Sequence, residues 1–288
     1  MKDSTMKFIV TVLVLALVPL TGFADEEASV GGNEKNEFPE DYRDVETDPT
    51  PGEGIQKYAE DAEEGAARNF GRQPVHDNEI FYTLMGDRLE YRLDDEAESW
   101  LWELEAWIGD DYNKLYLESE GVWLPEGNDF EGAEVELFYG RNISSFWDLK
   151  AGVRHDLEPD PERTFGAIGL EGMAPYLFEM EATAYVSEDG DVSAVLEGEY
   201  DLMLTQRLVF QPRFETSAAW HEVEEYGVGH GVNKVELGGR LRYEFMREFA
   251  PYVGFSWERK LGETADMAEE EGEDIEAVRF VAGLRFWL

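Results

Sequence analysis

The sequence predicts an all-β membrane protein, a transmembrane antiparallel up-and-down β-barrel of about 12 strands behind an acidic, disordered N-terminal arm. Three observations predict it. From Glu79 to Leu288 the apolar residues recur with a period of two rather than 3.6. The opposite face of the same segments carries carboxylates in place of the mixed polar residues of an ordinary wet surface. The chain also ends on an aromatic-rich stretch, RFVAGLRFWL from Arg279 to Leu288, of the kind that closes bacterial outer-membrane barrels.

Composition narrows the function classes. The 288 residues hold 65 Asp and Glu against 24 Lys and Arg, a formal charge of -41. Phosphate recognition needs clustered Lys and Arg, so nucleic acid is excluded as a general partner. With no cysteine there is no disulfide, no thiolate metal site and no Cys nucleophile. The serines have no accompanying His signature of nucleophilic catalysis, and the chain is not expected to be an enzyme.

The elements follow in order. Residues 1–24 read as a secretory signal peptide: Lys2 and Lys7 bracket a basic start, Phe8 to Leu20 is an apolar run of 13, and Gly22 and Ala24 fit a cleavage site. The run is too short for a spanning helix, which needs about 20 residues. Residues 25–78 are acidic, punctuated by Gly and Pro and poor in aliphatics, so they bury too little apolar surface to offset ordering entropy. Residues 79–288 are the barrel.

Within the barrel, Trp100, Trp102, Leu104, Ala106 and Ile108 share one face of a strand, with Glu103 and Glu105 on the other. Leu115 and Leu117 oppose Lys114, Tyr116, Glu118 and Glu120, and Val135, Leu137 and Tyr139 oppose Glu134 and Glu136. Tyr176, Phe178, Met180, Ala182 and Ala184 oppose Glu179, Glu181 and Thr183. Ala194, Leu196, Gly198 and Tyr200 oppose Glu197, Glu199 and Asp201, and Leu237, Leu241, Tyr243 and Phe245 oppose Glu236, Arg240, Arg242 and Glu244. Strand centres fall near Arg88, Glu103, Leu117, Leu137, Ala151, Ala167, Met180, Leu196, Val209, Leu241, Phe255 and Leu284. Turn signals separate them, among them Pro125-Glu126-Gly127-Asn128, Pro159-Asp160-Pro161, Glu188-Asp189-Gly190 and Gly262.

A β-sandwich would bury the apolar face as a core and leave the carboxylates in solvent. A barrel turns the apolar face to lipid and the carboxylates into a wet lumen. Aromatics near strand ends, the even strand count and the terminal strand favour the barrel.

Several stretches carry a more specific likeness: DRLEYR (Asp87 to Arg92), GDDYNKLYLESEG (Gly109 to Gly121), WDLKAGVRHD (Trp147 to Asp156), APYLFEMEATAYV (Ala174 to Val186), LTQRLVFQP (Leu204 to Pro212), REFAPYVGFSWERKLGETAD (Arg247 to Asp266), EGED (Glu271 to Asp274) and AGLRFW (Ala282 to Trp287). In this order the chain resembles the copper resistance protein B family across the barrel region. The resemblance implies an outer-membrane barrel, with lipid around it, that works with periplasmic copper-handling proteins, such as a multicopper oxidase, under copper stress. Together with the acidic inner faces it gives the expectation that the barrel binds copper ions and conducts or sequesters them. It also implies copper as ligand or transported species rather than catalytic cofactor. The Met- and His-rich N-terminal segment of that family is missing here: residues 25–78 hold no Met and one His, His76.

Candidate copper-binding residues follow from ligand softness, since copper(I) takes thioethers and copper(II) accepts imidazole and carboxylate. The inward carboxylates are the collective signal, with Glu103, Glu105, Glu179 and Glu181 as candidates. His155 is the imidazole candidate, although a strand-end histidine in a polar turn reads equally well. The methionines show no ligand spacing, but Met85 sits beside Gly86, where a bulge would re-aim it, and it is kept as a candidate. Arg154, Arg207, Arg240, Arg242 and Arg285 also fall on the inward face and would neutralise part of the acid. The surplus acidity, in the N-terminal arm and in a loop at Glu269-Glu270-Glu271, also reads as adaptation to a saline habitat. The alternatives are a general cation-preferring pore and a docking barrel for a periplasmic copper oxidase.

Overall fold

A computed structural model describes residues 79–94 and 98–288. The signal peptide and the acidic arm lie outside the described residues. The strands are β1 (Phe81–Leu93), β2 (Glu98–Gly109), β3 (Asn113–Leu124), β4 (Asp129–Ser144), β5 (Trp147–Glu158), β6 (Arg163–Ala174), β7 (Phe178–Ser187), β8 (Val192–Glu199), the two-residue β9 (Leu202–Met203), β10 (Leu208–Ala219), β11 (Gly231–Tyr243), β12 (Phe249–Lys260) and β13 (Glu276–Trp287). One helix, α1 (Gly262–Glu271), lies between β12 and β13.

Each strand pairs antiparallel with its neighbour in sequence, β8 pairs β10, and β13 returns to pair β1, which closes the sheet. β9 is a short continuation on the edge of β10, so the wall has twelve strands. All twelve expected centres fall inside these strands. Closure satisfies the backbone polar groups within the wall, which is what lets a sheet cross hydrocarbon. No helix among the described residues is long and apolar enough to cross a membrane. The crossing elements are the strands.

The two ends differ. The chain termini of the barrel share one end with the short connections 110–112, 145–146 and 175–177. The longer connections 220–230 and 261–275 lie at the other end. Short turns on the periplasmic side and long loops outside are the rule for such barrels. The outward face is apolar, with Leu115, Leu137, Val153, Ile168, Phe255 and Phe280 exposed along it, and Tyr82, Tyr112, Phe146, Tyr176 and Phe249 exposed around the terminal end. Aromatics at that level form an interface girdle.

Two local expectations change. Tyr176, placed on the strand face by parity, sits in the β6–β7 turn with a positive φ of 72. Glu269, Glu270 and Glu271, read as loop, belong to α1, which Gly272 ends in the left-handed conformation at φ 80. The helix docks at the start of β11, where the Thr264 hydroxyl accepts at 2.9 Å from the Gly229 N–H of the preceding connection and at 2.9 Å from the Asn233 amide on β11.

Candidate functional site in the lumen

The register aligns carboxylates across strands. Glu103, Glu120 and Glu134 stand directly opposite one another on β2, β3 and β4, as do Glu105, Glu118 and Glu136. Glu171, Glu181, Glu197 and Glu215 form a third row across β6, β7, β8 and β10. Like charges directly opposite are destabilising, with Cβ atoms about 5 Å apart, unless something neutralises them.

In the mid-lumen the chain supplies its own cations. Arg88 pairs with Glu103 and, at 3.2 Å, with Glu120. Lys150 Nζ lies 2.9 Å from Glu118, 2.9 Å from Glu181 and 3.2 Å from Glu171. Arg154 pairs with Glu134 and with Asp156 at 2.6 Å, and Arg213 pairs with Glu197 and with Glu215 at 3.5 Å. Across the seam, Glu90 accepts from Arg92 at 2.9 Å, Arg240 at 2.6 Å and the Tyr252 hydroxyl at 3.2 Å, and it is 0 % exposed. Beside these pairs Tyr116, Phe138, Phe165 and Tyr185 pack into a buried aromatic cluster. Charged networks and rings occupy the middle of the barrel.

Toward the terminal end the pattern stops. A cavity of about 570 Å³ is lined there by Met85, Asp87, Glu103, Glu105, Glu171, Met173, Glu179, Glu181, Glu197 and Glu199, with Lys114, Arg213 and Arg285 among its cationic neighbours. Five of the six candidates named from the sequence therefore meet around one space: Met85, Glu103, Glu105, Glu179 and Glu181. Glu103 and Glu181 are held by Arg88 and Lys150. Glu105, Glu179 and Glu199 make no ion pair among the described residues.

Met85 reaches the lumen because of a bulge. On β1 the register slips between Gly86 and Arg88, so that Met85 faces Glu105 while Arg88 faces Glu103. Three residue steps on β1 span two on β2, and both Met85 and Arg88 point inward. The Met85 thioether thus stands directly across from the unpaired Glu105, and it also accepts from Arg285 Nη2 at 3.8 Å. On the other wall Met173 stands opposite Glu179, which stands opposite Glu199. Sequence reasoning passed over Met173 and did not single out Glu199. Only the register of β6, β7 and β8 places that thioether and those two carboxylates in one row.

His155 is not with them. Its β5 neighbours Arg154 and Asp156 point inward, so His155 faces outward near the loop end. There Nδ1 lies 3.0 Å from the Thr164 hydroxyl and Nε2 3.6 Å from Glu162. Among the described residues no group of three or more His, Asp or Glu is arranged to hold a metal ion. The lumen offers walls of donors rather than an assembled shell.

Arg207, expected on the inward face of a strand, falls in the 200–207 connection. It lines a second cavity, about 720 Å³, with Arg242, Arg247 and Arg285 at the terminal mouth. One side of that mouth is acidic and the other basic.

A family model described as copper resistance protein B precursor matches residues 80–288. Copper resistance protein B of Escherichia coli is 42% identical over 228 residues, covering 79% of this chain and 76% of that protein. The chain belongs to the copper resistance protein B family. A copper resistance protein B homolog of Pseudomonas syringae pv. tomato is 41% identical over 213 residues, covering 74% of this chain and 72% of its own length. Among solved structures the chain is similar to the NanC porin, with TM-score 0.47, 12% identity and coverage of 72% of this chain and 99% of that one. The KdgM porin gives TM-score 0.44 at 10% identity, over 71% of this chain and 98% of its own. These likenesses are loose, and the twelve-stranded architecture rests on this chain's own pairing. Family membership, the closed wall and its apolar belt together make this member an outer-membrane barrel.

Proposed function

We propose that the barrel binds copper ions at its terminal-end cavity and sequesters them there, as part of copper resistance. The observation that carries the reading is the contrast within the lumen. Acidic rows elsewhere are neutralised by the chain's own Lys and Arg, whereas Glu105, Glu179 and Glu199 are left unpaired beside the thioethers of Met85 and Met173. Thioethers suit copper(I) and carboxylates copper(II), so the mixed set accommodates the ion in either state. A surplus of one charge sign in a low-dielectric cleft also concentrates cations.

The test is copper binding by the full mature chain in detergent, by competition against a chromogenic chelator. The triple variant Glu105→Gln, Glu179→Gln, Glu199→Gln is expected to weaken copper(II) about tenfold or more, which is about 1.4 kcal/mol per tenfold. Met85→Leu with Met173→Leu is expected to weaken copper(I) selectively. Wild-type affinity in both variants would sink the reading. Glu103 and Glu181 are poor test positions, because replacing either also removes an ion pair from the buried Arg88 or Lys150.

The ion-paired mid-lumen supports a second reading, a docking barrel for a periplasmic copper oxidase. Bilayer conductance at background for both potassium and copper, with oxidase retained on the immobilised barrel, would favour it over any conduit.

A further inference from the structure

The basic side of the terminal mouth is unlike the rest of the lumen. Among the described residues every Lys and Arg except Arg141, Arg207 and Arg247 makes an ion pair. Arg141 stands on the outward, exposed side of β4. Arg207 and Arg247 instead line one cavity of about 720 Å³ together with Arg242 and Arg285. In a chain with 65 acids against 24 bases, two guanidiniums left together without a carboxylate mark a place for an anion from outside.

The backbone presents this pair in fixed places. The Arg207 carbonyl accepts from the Glu244 N–H at 2.8 Å, and the Arg247 carbonyl accepts from the Trp287 indole N–H at 2.9 Å. Behind them Arg242 donates to Asp201 at 2.6 Å and to Gln211 at 3.2 Å, and it lies 3.6 Å from Glu244, the one acid of the cavity lining. Arg285 pairs with Asp87 at 2.7 Å. These acids neutralise the two inner guanidiniums, so the charge offered to a ligand is that of Arg207 and Arg247. The cavity also borders the acid–thioether space. Arg285 lines both and donates to the Met85 thioether at 3.8 Å, while Trp287 stands directly opposite Met85 across β13 and β1.

We infer that the arginine cavity is a binding site for a small polycarboxylate, whose carboxylates the Arg207 and Arg247 guanidiniums take in their forks. A planar guanidinium matches a carboxylate with two parallel N–H donors, and two free forks suit a ligand with two or more carboxylates. The cavity has the volume of a small-molecule site and opens at the terminal mouth. Copper(II) accepts carboxylate ligands, so a polycarboxylate seated here brings its metal beside the Met85 thioether. That last consequence rests on the copper reading; the anion site stands without it.

The experiment titrates citrate into the full mature chain, folded in non-ionic detergent and free of metal, by isothermal calorimetry. Wild type is expected to bind one citrate per barrel. The double variant R207Q with R247Q is expected to bind it at least tenfold more weakly, and R141Q as wild type does. R207K with R247K keeps both charges and removes both forks, and it too is expected to lose at least tenfold. It also serves as the second variant where the Gln pair does not fold. Inorganic phosphate, with its charge on one centre, is expected to bind wild type at least tenfold more weakly than citrate. No citrate binding by wild type overturns the inference, as does wild-type affinity in either double variant. Phosphate binding as tight as citrate overturns the polycarboxylate assignment. The titration contains no copper, so its failure leaves the copper titrations of Met85 and Met173 untouched, and their failure leaves the citrate result standing.

Discussion

The mid-lumen and the terminal cavity are built from the same material and end in opposite states. Both consist of glutamates standing directly across from glutamates on neighbouring strands. In the mid-lumen Arg88, Lys150, Arg154, Arg213 and Arg240 are threaded among the rows, and the result is a filled, ion-paired interior. At the terminal end the rows run on, but the inward positions beside them carry Met85 and Met173. Acid rows fill a barrel where the chain's cations pair with them and leave a cation-seeking space where Glu105, Glu179 and Glu199 stay unpaired.

The comparison can be broken most forcefully at Glu90. Removing this fully buried carboxylate in Glu90→Ala leaves Arg92 and Arg240 without their acceptor, and breaking a buried pair costs about 3–5 kcal/mol. The urea midpoint for the barrel in lipid vesicles is expected to fall sharply. The Gln triple at Glu105, Glu179 and Glu199 is expected to leave that midpoint at or above wild type, since it relieves repulsion. A fall equal to that of Glu90→Ala would erase the distinction between the two regions.

A smaller effect sharpens the inside–outside assignment. His155→Ala removes an outward imidazole whose partners among the described residues are Thr164 and Glu162, so copper affinity of the mature chain is expected to be unchanged. A tenfold loss would return His155 to the site.

The smallest expected effect lies at the rim. In the β2–β3 turn the Asp110 carboxylate accepts the backbone N–H groups of Tyr112 at 2.8 Å and Asn113 at 2.7 Å, which holds its pKa below the usual aspartate range. A depressed folded-state pKa contributes stability above the unfolded value of about 3.9 that is lost as pH falls through the folded value. Relative to the intrinsic exchange rate at each pH, protection of the Tyr112 and Asn113 amides is expected to fall as acid protonates Asp110, and Asp110→Ala to show low protection at all pH values.

Much of this was legible in one dimension. Period-two alternation reads the wall directly, because successive strand side chains point to opposite faces, and it located all twelve strands and the acidic lining. Turn residues such as Pro159-Asp160-Pro161 and Gly190 set the connections. Parity failed where the backbone left the strand regime, as at Tyr176, whose positive φ belongs to a turn. The Glu269 to Glu271 run reads as loop from its charge and instead folds into a helix. The bulge beside Met85 was anticipated because Gly86 permits the extra residue, whereas the direction in which it turns Met85 came from the register with β2.

By itself the sequence determined the class, the wall and its two faces, since these follow from local alternation and composition. The tertiary structure alone decided which acids are spent and which are free. Counter-ion pairing joins residues far apart in the chain, such as Glu90 with Arg240 and Lys150 with Glu118 and Glu181, and no local pattern encodes which strand faces which. The same holds for Met173, whose neighbours Glu179 and Glu199 become its neighbours only through the register of three strands. Charge type is written residue by residue. Neutralisation depends on distances of about 3 Å that exist only once the barrel closes.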